Sequence, residues 1–213
     1  VVVACGTFVN GLIHIGKESF AAGRFGEKNV VDISSHLKKA GHSFIRLKTG
    51  TPPRISLKSI NTKKAVVAPG DDDFFPFSLS TKNKNKKKLP CYIVNTSERV
   101  HHIIRENLSS SAMFSGKISG VGPRYCPSIE DKIFRFRDRP SHALFLEPEW
   151  EGSDQIYING FSTSLPKKIQ LSALREINEL KNVQFVRPGY AIEYDVVPPR
   201  ELRATLESKK LEG

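Results

Sequence analysis

The chain has 213 residues, 38% of them hydrophobic, enough for one large core or two small ones. No apolar run reaches the ~18 residues of a membrane span, and three widely spaced cysteines (Cys5, Cys91, Cys126) argue against a disulfide framework and for a reducing compartment. The formal charge of +11 and pI of about 9.6 favour a polyanionic partner, nucleic acid or an anionic membrane surface.

The first element is read at Val1 to Phe8, a short apolar run ending in Gly6-Thr7, as expected of a buried parallel strand, with Cys5 as core packing. A glycine-punctuated extended segment follows to Gly16, in which His14 alternates with Ile13 and Ile15 and reads as a hydrogen-bonded structural group. Asp32 to Gly41 has the pattern of a helix, with Ile33 and Leu37 inward, lysines in its last turn and Gly41 as its stop. Ser43 to Leu47 reads as a strand running into a rigid loop, Lys48-Thr49-Gly50-Thr51-Pro52-Pro53-Arg54-Ile55. That loop mixes hydroxyl and cationic groups suited to phosphate or a flavin edge.

Ser56 to Pro90 reads as polar and irregular. It holds an acidic turn at residues 70–73 and a low-complexity run in which five lysines fall between Lys82 and Lys88, either a solvated loop or an RNA-backbone contact. Strand character returns at Pro90 to Thr96. Asn95 then reads as the cap of a helix whose apolar stripe is Val100, Ile103, Ile104 and Leu108, with His101 and His102 on or near its exposed side.

Gly122-Pro123-Arg124-Tyr125-Cys126-Pro127-Ser128-Ile129-Glu130-Asp131-Lys132-Ile133-Phe134-Arg135-Phe136 is the most informative stretch. Gly122-Pro123 bends the chain, and the Ser128-x-x-Asp131 spacing starts a helix with Ile129, Ile133 and Phe136 on one face. Cys126 stands just ahead of that helix start, beside Arg124 and a turn from Lys132, a setting that favours thiolate or, equally, receives the phosphates of a nucleotide. A buried structural cysteine is the other reading of the same pattern.

Further on, Ala143 to Leu146 and Gln155 to Ile158 read as strands, and Asn159-Gly160 as a hairpin turn. Leu165-Pro166 opens a helix buried through Ile169, Ala173, Ile177 and Leu180. Gln184 to Val186 and Ala191 to Tyr194 are the last strands. No G-x-G-x-x-G fingerprint occurs anywhere in the chain. With no Met before Met113, the chain reads as an internal piece of a longer protein.

Gly122 to Phe136 resembles the first signature of the GidA/MnmG family, flavoproteins that modify the wobble uridine of certain tRNAs. The similarity extends over Arg46 to Ile55, Pro90 to Ile93, Leu146 to Glu149, Ser162 to Pro166, Arg187 to Asp195 and Thr205 to Lys209, about the middle third of such a protein. The resemblance implies an α/β fold: part of an FAD-binding, Rossmann-like domain of glutathione-reductase type (residues 1–55 and 188–213), interrupted by an α/β insertion associated with NADH (56–187). It implies FAD contacts at Gly6, Thr7, Lys48, Thr49 and Gly50. NADH contacts are implied at Gly122, Pro123, Arg124, Tyr125, Ser128, Glu130 and Lys132, with Cys126 as the catalytic candidate and no metal.

The implied reaction adds a carboxymethylaminomethyl or aminomethyl group at carbon 5 of uridine 34, with methylene-tetrahydrofolate as one-carbon donor. The implied partners are tRNA, an MnmE-type GTPase and a second copy, in the cytoplasm, or the mitochondrion of a eukaryote. The alternatives are a folate- and FAD-dependent tRNA uridine methyltransferase and a non-catalytic basic RNA-binding fragment. Val30 departs from the family, which often carries a flavin-associated serine there, and the lysine-rich run has no family counterpart.

Overall fold

A computed structural model describes residues 1–71, 76–81, 88–122 and 126–212. The expectations for residues 72 and 73 of the acidic turn, for residues 82–87 of the lysine run, and for Pro123, Arg124 and Tyr125 lie outside the described residues.

Among the described residues, ten strands make two sheets, with four α-helices beside them. The first sheet has the order β2 (Glu18–Ala21), β1 (Leu12–Ile15), β10 (Tyr190–Val196), β3 (Ile45–Thr51), all pairs antiparallel. The second has the order β5 (Val66–Ala68), β6 (Cys91–Asn95), β7 (Ala143–Pro148), β8 (Gln155–Asn159), β4 (Arg54–Ser56), β9 (Phe185–Arg187), again antiparallel throughout. Besides α1 (Ile33–Lys39), helices α2 (Glu98–Glu106), α3 (Ile129–Arg135) and α4 (Lys167–Arg175) bury Val100, Ile104, Ile129, Ile133, Ala173 and Leu174 with the second sheet's Ile55, Leu144, Leu146, Ile156 and Ile158. A smaller cluster of Ile13, Ile15, Ala22, Tyr190 and Ile192 belongs to the first sheet.

Several expectations are corrected. Residues 1–8 form no strand and Val1, Val2 and Val3 are exposed, because no strand among the described residues pairs with them; Val9 makes an isolated parallel bridge to Val30 and its carbonyl accepts from Asp195 N at 2.8 Å. Lys48 to Thr51 is strand rather than loop: β3 pairs with β10 along its whole length, and only Pro52-Pro53, which lacks N–H donors, interrupts the path into β4. The irregular segment contains β5, which is exposed at Val66 and Val67 and is recognised only through its pairing with β6. The cap of α2 is Ser97, whose side chain accepts from Val100 N, while Asn95 ends β6.

His101 is buried, not surface; its ring bonds Thr96 Oγ1 at 2.7 Å. Phe136 is exposed because α3 ends at Arg135 and Phe136, at φ −116° and ψ 58°, leaves the helical path. Asn159-Gly160 is no hairpin: the chain passes on through Ser162, whose carbonyl accepts from Ile129 N at 2.7 Å, and into α4.

Candidate functional site

Two stretches far apart in sequence meet at the free edge of β3. The segment Gly120-Val121-Gly122 runs beside it as a parallel stub: Val121 N donates to Arg46 O (3.2 Å) and Lys48 N donates to Val121 O (3.1 Å). Glycine is required for this approach. That holds for Gly120, where a Cβ would stand 2.9 Å from the Leu47 backbone carbonyl; one on Gly122 would meet only the Lys48 side chain, at 2.7 Å from Cε, which can swing aside.

Side chains alternate along β3, so Lys48 shares a face with Glu193 while Thr49 faces the other way, opposite Ile192. Lys48 is 8% exposed, and its ammonium donates to Met113 Sδ at 2.9 Å, a weak acceptor. On the other face Thr49 Oγ1 lies 3.6 Å from Cys126 Sγ. Cys126 is half-buried; burial pushes both Tyr157 and Tyr194 up, with Cys126 a smaller contributor to each. Arg54 closes this side, its guanidinium 4.5 Å over the Tyr157 ring, Nε on Glu149 Oε1 at 2.8 Å and Nη1 on Thr51 Oγ1 at 2.5 Å.

The stub is held from the opposite face by one carboxylate. Glu193 Oε1 accepts from Ser119 N (2.8 Å), Ser119 Oγ (2.9 Å) and Gly120 N (2.5 Å), and Oε2 pairs with His14 Nε2 at 2.8 Å. Burial pushes the Glu193 carboxyl up, but these donors together hold it below the ordinary carboxylate range. His14 Nδ1 is satisfied by Ser19 Oγ at 2.8 Å, which makes the imidazole a structural group, as read from its alternation.

After the motif, Ser128 caps α3 with a reciprocal pair: Asp131 N to Ser128 Oγ, and Ser128 N to Asp131 Oδ2, both 3.1 Å. Glu130 faces inward. It is fully buried; Oε1 accepts from Ser164 N (2.9 Å) and Ser111 Oγ (3.0 Å), Oε2 has no partner among the described residues, and burial raises the carboxyl above its usual range. Lys132, half-buried and pushed down by that burial, donates to Gly160 O at 3.1 Å. A Cβ on Gly50 would stand 3.5 Å from Ser162 Cβ, an ordinary packing contact. Gly6, at φ +78°, and Thr7 are exposed ahead of β1.

The structure therefore brings Gly122 to Lys48 on one face of β3 and Cys126 to Thr49 on the other, and turns Glu130 and Lys132 toward the scaffold. Sequence reading missed Glu193 and Met113, and named Arg54 only as part of the cationic loop. A lone glutamate inside the apolar run Ala191 to Tyr194 was the available signal for Glu193; nothing in the sequence marked Met113.

The family model described as glucose inhibited division protein A matches residues 1–213. The tRNA uridine 5-carboxymethylaminomethyl modification enzyme MnmG of Thermodesulfovibrio yellowstonii is 52% identical over 213 residues, all of this chain and 34% of that protein. The enzyme of the same name from Campylobacter fetus is 51% identical over 212 residues, again 34% of its length. Aquifex aeolicus GidA in its form I crystal superposes with a TM-score of 0.89 at 47% identity, over 97% of this chain and 36% of that one. The chain thus spans about a third of the length of the relatives it matches, and the α/β fold read from the sequence is the fold of that structure.

Proposed function

We propose, on the premise that this chain belongs to the glucose inhibited division protein A family, that it supplies the flavin-edge and nicotinamide-associated part of an enzyme modifying carbon 5 of the wobble uridine of tRNA. The observation that carries this reading is that the segment leading through Gly122 to Cys126 lies along the edge of β3, with Gly122 against Lys48 on one face and Cys126 against Thr49 on the other. A buried ammonium has three donors, and among the described residues its one hydrogen-bond acceptor is a thioether. That donor set fits an anionic cofactor edge or a phosphate.

When bound, FAD and NADH supply the reducing chemistry for installing a one-carbon unit, from methylene-tetrahydrofolate, as an aminomethyl or carboxymethylaminomethyl group. In this reading Lys48 directs its free donors at the anionic edge. Thr49 Oγ1 orients the Cys126 thiol, which acts on the RNA. Arg124, argued from sequence, pairs with a cofactor phosphate, with Gly122, Pro123 and Tyr125 shaping the turn around it. Ser128, Glu130 and Lys132 position α3 rather than touch the cofactor.

A division into an FAD-domain part (1–55 and 188–213) and an insertion (56–187) is supported by the sheet membership of the strands only near those bounds: the chain changes sheets between Thr51 and Arg54, because β4 pairs within the second sheet. The family resemblance supports an MnmE-type GTPase partner, a homodimer and a cytoplasmic setting, mitochondrial in a eukaryote. Among the described residues no helix is long and apolar enough to cross a membrane.

Lys48→Met in the full-length protein tests the assignment by FAD titration. Met keeps the apolar stem and removes the charge. Removing a charge-assisted hydrogen bond of about 1.5–3 kcal/mol weakens FAD affinity roughly 10- to 150-fold. Wild-type affinity in a folded Lys48→Met protein would remove Lys48 from the site.

A further inference from the structure

The segment leaving α3 carries a surface that the cofactor site does not use. Residues 134–141 are all exposed, and the run Phe134-Arg135-Phe136-Arg137-Asp138-Arg139 alternates aromatic and cationic side chains. Phe134 is 45% and Phe136 49% exposed, uncommon for rings of this size. The backbone arranges them in register. α3 stops at Arg135, and Arg139 N donates to Phe136 O at 3.1 Å, while Arg137 Nε donates to Phe134 O at 3.3 Å. Each arginine therefore folds back three residues onto a phenylalanine: the Arg137 guanidinium lies 4.8 Å from the Phe134 ring centre and that of Arg139 lies 5.3 Å from the Phe136 ring centre. Phe114 packs edge-on against Phe134 at 5.6 Å and fixes its tilt.

Among the described residues, Arg135, Arg137 and Arg139 form no ion pair with a carboxylate, and Asp138 is the only acid in the run. Flat aromatic faces interleaved with unpaired guanidinium planes suit unstacked bases joined by phosphates. A duplex keeps its bases stacked and cannot use the rings. A protein partner would leave three desolvated arginines to be paired.

We propose that Phe134 to Arg139 is a contact for single-stranded RNA, with Phe134 and Phe136 as stacking platforms for unpaired bases and Arg137 and Arg139 as their cationic partners. The proposal rests on the tRNA reading above and adds to it the loop-binding surface. The substrate would meet this surface through unpaired loop nucleotides.

The test uses the full-length protein and tRNA, with Kd measured across a salt series. Replacing Phe134 and Phe136 together with Ala is expected to weaken binding by about 5- to 150-fold for each base that no longer stacks, with the salt slope unchanged. Phe136→Tyr, which keeps a ring, is expected to bind as wild type. Replacing Arg137 and Arg139 with Gln is expected to flatten the slope of log K against log salt by about 0.7 for each phosphate no longer neutralised. Wild-type Kd and slope in both double variants, with tRNA still bound, would overturn the proposal and leave the tRNA reading intact. The same result with a changed sedimentation coefficient in the Phe variant would reassign the surface to a second protein chain. A wild-type protein that binds no tRNA would sink the tRNA reading itself and this surface with it.

Discussion

Glu193 is one side chain holding two segments in register. Its two oxygens take four short contacts, three to the stub that lies along β3 and one to His14. Each buried donor left without an acceptor costs about 1–3 kcal/mol. Glu193→Ala is therefore expected to lower unfolding stability by several times more than Glu193→Gln, whose carbonyl still accepts from Ser119 and Gly120; urea denaturation of the two variants measures it, and equal losses would contradict the clamp. The pH dependence follows the same group. Its carboxyl is held below the ordinary value, so the stability it contributes is present above the unfolded pKa and is lost as pH falls through the lower folded one. His14 was legible because alternation with two isoleucines puts it on the opposite face from them. Its partner was not, because nothing local in Ala191 to Tyr194 says which strand Glu193 will face.

The helices were the most legible elements, since each carries its own local periodicity, even though the α2 cap proved to be Ser97 and α1 and α4 have no side-chain cap. α3 and α4 begin where the capping pattern and Pro166 put them. The strands were less so, because their pairing is settled by residues far along the chain: Lys48 to Thr51 looks like loop until β10 lies beside it. The His101 placement is a similar miss. On α2 a residue next to an apolar stripe is buried or exposed according to what packs above it, and there Thr96 and His142 do, with the two imidazole rings 5.3 Å apart.

Burial lowers the pKa of both rings. For His101, Glu98 opposes the lowering and Arg105 adds to it; for His142, the charges of His101, Lys132 and Arg139 add to it. Groups whose folded pKa is depressed below the unfolded value of about 6.5 resist protonation in the native state, so stability is expected to fall as pH drops below about 6.5 and to level off once the native pair protonates. His142→Gln is expected to shallow that fall in chemical denaturation between pH 7 and 5. A slope unchanged from wild type would remove the pair from the acid response.

At the scale of the molecule, the chain leaves the first sheet after Thr51, builds the second sheet and its helices, and returns at Tyr190 to pair with the strand it left. That return puts the segment before Cys126 against β3 and makes one site of two distant stretches. The α/β class and the motif itself were legible in the sequence. The joining of Lys48 and Thr49 to Gly122 and Cys126 was not, because it depends on a strand edge that only the folded topology exposes. The central claim is that these stretches serve one redox site on a tRNA-modifying enzyme, the turn for NADH and the cysteine for the RNA. Stopped-flow reduction of the flavin by NADH in full-length Arg124→Ala and Cys126→Ser, run beside a tRNA modification assay, tests it most directly. Arg124→Ala is expected to need roughly 10- to 150-fold more NADH, the effect of removing a charge-assisted hydrogen bond, and Cys126→Ser to be reduced as fast as wild type yet leave tRNA unmodified; normal NADH reduction in Arg124→Ala, or full tRNA modification by Cys126→Ser, would contradict it.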